Sequence, residues 1–104
     1  MKAGQFHKCN AYVTWLDNQK WRLTSYWSTV CDVDLIAKKI VLYPRYKFST
    51  TTTQHLVKFL RETVGFHMYS DDIKRNTKDG KHTFKYNGYT VVMSTLYKDG
   101  VNIQ

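Results

Sequence analysis

The residues of this chain whose types and spacing could do chemistry fall into three groups. The first is the run Ser49-Thr50-Thr51-Thr52-Thr53-Gln54-His55. A hydroxyl run entering a helix points its oxygens and the first backbone N–H groups at one place, which is one way to cradle a phosphate. The glycines of a phosphate loop are missing, however, and Thr51 and Gln54 have the spacing of a capping box. Capping is therefore the expected use. His55 falls one turn after Thr51. As a general base it would need a nucleophile or a positioned water beside it, and the sequence shows neither. A buried or half-buried imidazole bonded to a threonine hydroxyl is the expected role.

The second group could bind metal. His7 and Cys9 alternate as on a strand, and Cys31 lies on a later strand whose register brings it to the same region. Zinc accepts mixed nitrogen and sulfur ligands converging from different elements, so His7, Cys9 and Cys31, completed by His67 or His55, have suitable chemistry. No Cys-x-x-Cys knuckle and no His-x-x-x-His pair accompanies them. The expectation is a chain without a cofactor, in which an inward Cys31 serves as a small hydrophobe, with zinc as the alternative. Asp71-Asp72 could serve a divalent ion, but an acidic pair in a polar loop reads first as a solvated pair or a turn cap.

The third group interleaves cations with aromatic rings, in Tyr43-Pro44-Arg45-Tyr46-Lys47-Phe48 and in Lys81-His82-Thr83-Phe84-Lys85-Tyr86. Single-strand binders pair phosphates and stack bases with such segments, whereas lysines on a sheet edge also protect it from pairing. Lys and Arg together number 16 against 8 acidic residues, a formal charge of +8, which favours an anionic partner. Arg45, Tyr46, Lys47, Lys81, Lys85 and Tyr86 are the expected partner-contacting residues. An acidic protein patch would satisfy them as well as a nucleic acid.

These side chains must be positioned by a single domain, the expectation for 104 residues with 42% hydrophobic composition. Ala11 to Leu16 and Trp21 to Tyr26 read as a hairpin around Asp17-Asn18-Gln19. A three-residue loop sets Trp15 opposite Trp21, Val13 opposite Leu23 and Ala11 opposite Ser25, keeping apolar residues on one face. The odd positions continue as Trp27, Cys31, Val33 and Leu35, on a strand that either runs long or breaks near Ser28. A turn at Ala37-Lys38 would pair Leu35 with Ile40 and Val33 with Leu42, and Pro44 would end that third strand. A helix from about Thr52 to Val64 is expected, capped by Thr51, carrying Leu56, Leu60 and Val64 at helical period and closed by Gly65. Asp71 to Lys74 suggests one further helical turn. His82 to Tyr86 and Tyr89 to Leu96 flank Asn87-Gly88, a strong hairpin signal. The expected fold is α+β, an antiparallel sheet of about five strands with one amphipathic helix packed on a face.

Ser25-Tyr26-Trp27-Ser28, Cys31, Phe48-Ser49-Thr50-Thr51-Thr52-Thr53-Gln54-His55 and Phe59-Leu60-Arg61 together resemble a group of small proteins of phages, plasmids and other mobile elements. Their pattern runs Ser-Tyr-x-Thr, then Tyr-Ser-x-Thr-Thr-x-x-His, then Phe-Leu on a helix, and the likeness covers residues 21–62. This chain carries Ser28 for the threonine and Phe48 for the tyrosine. The resemblance implies a mobile-element origin, and proteins of that origin and size often act as stoichiometric inhibitors of host defence, anti-CRISPR proteins among them.

No Ser-His-Asp constellation, paired glutamates, Walker loop or Rossmann loop is present, so the expectation is a non-enzymatic protein. It would bind a host defence nuclease and inhibit it sterically. The alternatives are a direct nucleic-acid-binding accessory protein and, more remotely, a small metal-dependent nuclease using His55 with Asp71 and Asp72. No window approaches the roughly 18 apolar residues of a membrane span, and Met1 to Lys8 has no apolar signal core. A cytoplasmic protein of the bacterial host cell, with reduced cysteines and no membrane partner, is expected.

Overall fold

The computed structural model describes residues 3–5, 10–43 and 50–94. Its elements run β1 (Gly4–Gln5), β2 (Ala11–Asp17), β3 (Lys20–Ser25), β4 (Ser28–Asp34), β5 (Lys39–Leu42), α1 (Thr50–Thr63), α2 (Ser70–Asn76), a 3-10 turn at Lys78–Gly80, β6 (Thr83–Tyr86) and β7 (Tyr89–Met93). The seven strands form one sheet in the order β1-β2-β3-β4-β5-β7-β6. The fold is α+β, as expected, but the sheet is mixed and has more than the about five strands counted from hairpin signals. Every neighbouring pair is antiparallel except β5 and β7, which run parallel. A parallel pair needs a long crossover, and the chain through α1 and α2 supplies it.

Alternation of apolar and polar residues sets the β2–β3 register as expected, with Ala11 opposite Ser25, Val13 opposite Leu23 and Trp15 opposite Trp21. A bulge between Trp15 and Asp17 then brings Asp17 opposite Lys20 and tightens the loop. The strand that followed could run long or break, and it breaks. Tyr26 and Trp27 form the β3–β4 turn with φ of 49° and 69°. Trp27 therefore leaves the apolar face on which odd-numbered alternation placed it and stands 86% exposed. A second bulge between Leu23 and Thr24 lets the consecutive residues Val30 and Cys31 both be buried.

The β4–β5 register differs from the expected one by two residues: Val33 faces Ile40 and Cys31 faces Leu42. The cause is Asp34, whose Oδ1 accepts the N–H groups of Ile36 and Ala37 at 3.0 and 2.9 Å and so starts the turn two residues earlier. Because the slip is even, the same side chains still face the core. Beyond Leu42, the Tyr43 N–H donates to Val30 C=O at 2.9 Å. Pro44, expected to end this strand, lies outside the described residues.

Helix α1 lies across β3 and β4 and buries Leu56, Phe59 and Leu60 against Val13, Leu23, Cys31, Val33, Ile40, Leu42 and Val91. Val64 is partly buried at the margin of this core. Thr51 stands inside α1 and is exposed, so it does not cap the helix. In a run of five hydroxyl residues the capping-box spacing does not single out one of them. Gly65 closes the helix with φ of 86°, its N–H on Leu60 C=O at 3.1 Å. The acidic pair starts α2: Asp72 Oδ2 accepts the Tyr69 N–H at 2.9 Å, and Ile73 turns inward to the core. Asn87 and Gly88, at φ of 48° and 84°, make the two-residue turn between β6 and β7.

Candidate anion-binding groove at the sheet edge

Strand β6 is the outermost strand beside β7. The Met93 N–H donates to His82 C=O at 2.7 Å, and the register continues through Phe84 opposite Val91 and Tyr86 opposite Tyr89. Bonded and non-bonded pairs alternate along an antiparallel ladder. His82, Phe84 and Tyr86 therefore turn their backbone groups toward β7, while Thr83 and Lys85 turn their N–H and C=O outward. Side chains alternate in the other sense: Phe84 is buried in the core, whereas Thr83 and Lys85 are exposed.

Beside this edge runs a groove of about 430 Å³ lined by Arg75, Asn76, Lys78, Lys81, Thr83, Phe84 and Lys85. Its cations come from three elements: the last turn of α2, the 3-10 turn and its exit, and β6. Arg75 is paired with Asp72, whose carboxyl is held below its ordinary range by the Tyr69 N–H and, after that, by Arg75. The Lys85 ammonium rests on the Thr90 hydroxyl at 2.8 Å, a neutral partner that leaves its charge uncompensated. Lys78 and Lys81 have no carboxylate partner among the described residues. The acidic side chains of β4, further into the sheet, are occupied elsewhere: Asp32 takes a bidentate contact from Arg22 at 2.8 and 2.9 Å plus the Tyr43 hydroxyl at 2.7 Å. Asp34 lies 3.8 Å from Lys20.

Of the expected partner residues, the structure brings Lys81 and Lys85 together in this groove. Tyr86 is not there. Its half-buried ring packs on Phe66 at 5.6 Å between centroids, on the helix-covered face, and its hydroxyl points to His67 C=O at 3.4 Å. Arg45, Tyr46 and Lys47 lie outside the described residues. Arg75 and Lys78 complete the groove and carry no signal in the sequence, where they belong to a polar stretch with no aromatic interleaving.

A second constellation lies between β3 and α1. Ser25 Oγ is 2.9 Å from His55 Nδ1 and 3.2 Å from Thr52 Oγ1, and the Tyr26 ring stacks on His55 at 6.2 Å. Thr52 and His55 are three apart on α1 and so share the face that meets the end of β3. The imidazole is buried and bonded to a hydroxyl as expected, but that hydroxyl is the serine's. A hydroxyl beside an imidazole is the first half of a nucleophile and base pair. Here Ser25, Thr52 and His55 are only 2%, 5% and 4% exposed, which keeps a macromolecular substrate away from the oxygen. The arrangement clasps strand to helix. It also gathers Ser25, Tyr26, Thr52 and His55, with Phe59 and Leu60 in the core directly behind.

Cys31 is fully buried, and burial pushes its thiol well above the ordinary range. His7 and Cys9 lie outside the described residues. Among the described residues no three His, Cys, Asp or Glu side chains gather into a metal-binding group, His55, Asp71 and Asp72 included. No helix among them is long and apolar enough to cross a membrane. Compared with known proteins, the chain matches no family model, no curated protein and no solved structure.

Proposed function

We propose that this chain is a non-enzymatic protein of a phage or other mobile element that binds an acidic surface of a host defence nuclease and blocks it sterically, in the manner of an anti-CRISPR protein. The observation that carries this reading is the groove beside β6, where Lys78, Lys81 and Lys85 stand together without carboxylate partners among the described residues. Exposed charges of this kind contribute little to folding, and their concentration along one edge supports a role in meeting an acidic partner. The mobile-element origin, and with it the defence nuclease, rests on the Ser-Tyr and Thr-x-x-His pattern. The closed Ser25 and His55 pair, which serves the fold, supports the reading as a binder.

Direct binding of nucleic acid is the second reading, favoured by the same charges. The two separate in one series of measurements. On immobilised protein, a nuclease from the bacterial host is retained after all nucleic acid has been digested, and its cleavage activity falls to zero at about one equivalent of inhibitor. Retention that vanishes on digestion, together with DNA affinity falling steeply with salt, would replace the proposal by the second reading. Loss of target activity far below one equivalent would show turnover and overturn both.

A further inference from the structure

The alternation at the β6 edge narrows the chemistry of the partner. We infer that the groove receives an extended acidic polypeptide segment, which adds to β6 as an eighth strand of the sheet, an occupant that presupposes the binding role proposed for this chain. Two observations point to a peptide. Thr83 and Lys85 each present an N–H and a C=O outward, a donor and acceptor sequence that a peptide backbone matches and that a phosphodiester, which offers only acceptors, leaves half unsatisfied. Of the large exposed aromatics among the described residues, Trp15, Tyr26 and Trp27 lie on or beside β2 and β3, across β4, β5 and β7 from this edge. Tyr69, at the start of α2, is not among the residues that line the groove. No exposed aromatic ring among the described residues therefore lines it as a platform for stacking bases.

Charge then selects the sequence of the segment. Lys81 and Lys85 line the groove together with Arg75 and Lys78. A second copy of this chain pairing through β6 would set lysines against lysines, so the edge is protected from self-association. A strand with Asp or Glu at alternate positions converts that repulsion into attraction, its carboxylates meeting the ammonium groups while its backbone bonds Thr83 and Lys85.

The test uses the full chain and a fluorescein-labelled eight-residue peptide alternating Glu with Val, read by anisotropy. Controls are the same peptide N-methylated at alternate residues on its pairing edge, a Lys-for-Glu version, and an oligothymidylate. The acidic peptide is expected to bind, with N-methylation weakening it about tenfold. Thr83→Pro, which removes an outward N–H at the first residue of the strand without breaking a β6–β7 bond, is expected to weaken it similarly, whereas Thr83→Val leaves it unchanged. Bound peptide should also slow hydrogen exchange at the Thr83 and Lys85 amides. Equal binding of the N-methylated peptide to the unaltered protein would overturn strand addition while leaving the charged groove intact. Tighter binding of the oligothymidylate than of the acidic peptide, or no binding of the peptide up to about 1 mM, would overturn it as well. The binding role itself is tested separately, by the charge reversal Lys81→Glu with Lys85→Glu: unchanged capture of the nuclease would overturn that role, whatever the peptide does.

Discussion

Ser25 has one hydroxyl and two partners, and its place at the end of β3 makes it the joint between sheet and helix. The Oγ atom meets both Thr52 Oγ1 and His55 Nδ1 where water is excluded. Among the described residues every buried side-chain nitrogen and oxygen has a partner, so removing the serine strips a contact from two satisfied groups at once. Ser25→Ala is expected to cost about 1 kcal/mol or more, the usual net contribution of a buried hydrogen bond, here lost to two groups, seen as a lower denaturation midpoint. His55→Ala should likewise lower stability and leave inhibition per folded molecule unchanged. Activity that disappears in a folded His55→Ala protein would instead restore a catalytic role. The burial and hydroxyl bonding of His55 were legible from its position after the threonine run. Its partner was not, because Ser25 is 30 residues away and only the packing of α1 on β3 joins them. Arg75 and Lys78 were illegible for a similar reason, since their relation to Lys81 and Lys85 arises from how α2 returns to the sheet.

At the scale of elements, local signals and tertiary packing divide the work. The Asn87-Gly88 turn, the β2–β3 register and the Gly65 helix stop were readable because each depends on a few adjacent residues. The β4–β5 register departs from expectation by two residues because one carboxylate, Asp34, captured two backbone N–H groups and moved the turn. Helix α1 gives the sharpest check. Leu60 is fully buried between α1 and the sheet, so Leu60→Ala should cost about 2–5 kcal/mol through the cavity it leaves. Thr51→Ala, exposed within the helix, should leave stability unchanged or raise it by about 0.5 kcal/mol, since alanine is the better helix former. A loss of about 1 kcal/mol or more at Thr51 would return that residue to the cap position, where such a loss is typical.

Over the whole molecule, the order of strands decides what the surface can do. The hairpin β6–β7 enters the sheet with its apolar strand inward, beside β5, and its lysine-bearing strand outward. Chain order alone does not reveal this, because either strand of the hairpin could have taken the inner place. Val91 fully buried on β7 and Lys85 exposed on β6 are the side chains that settle it. The result is an open, cationic edge on a sheet whose opposite end carries the exposed Trp15, Tyr26 and Trp27. The central claim is that this edge is where a partner is held, and the most direct measurement is an inhibition titration of the captured nuclease with the Lys81→Glu, Lys85→Glu protein. Exposed charges add little to folding, so the variant should keep the parental denaturation midpoint within about 0.5 kcal/mol. On this account it needs at least about tenfold more protein for the same inhibition, the loss expected when two charge contacts become repulsions. Inhibition at the parental stoichiometry and affinity by the folded variant would contradict it.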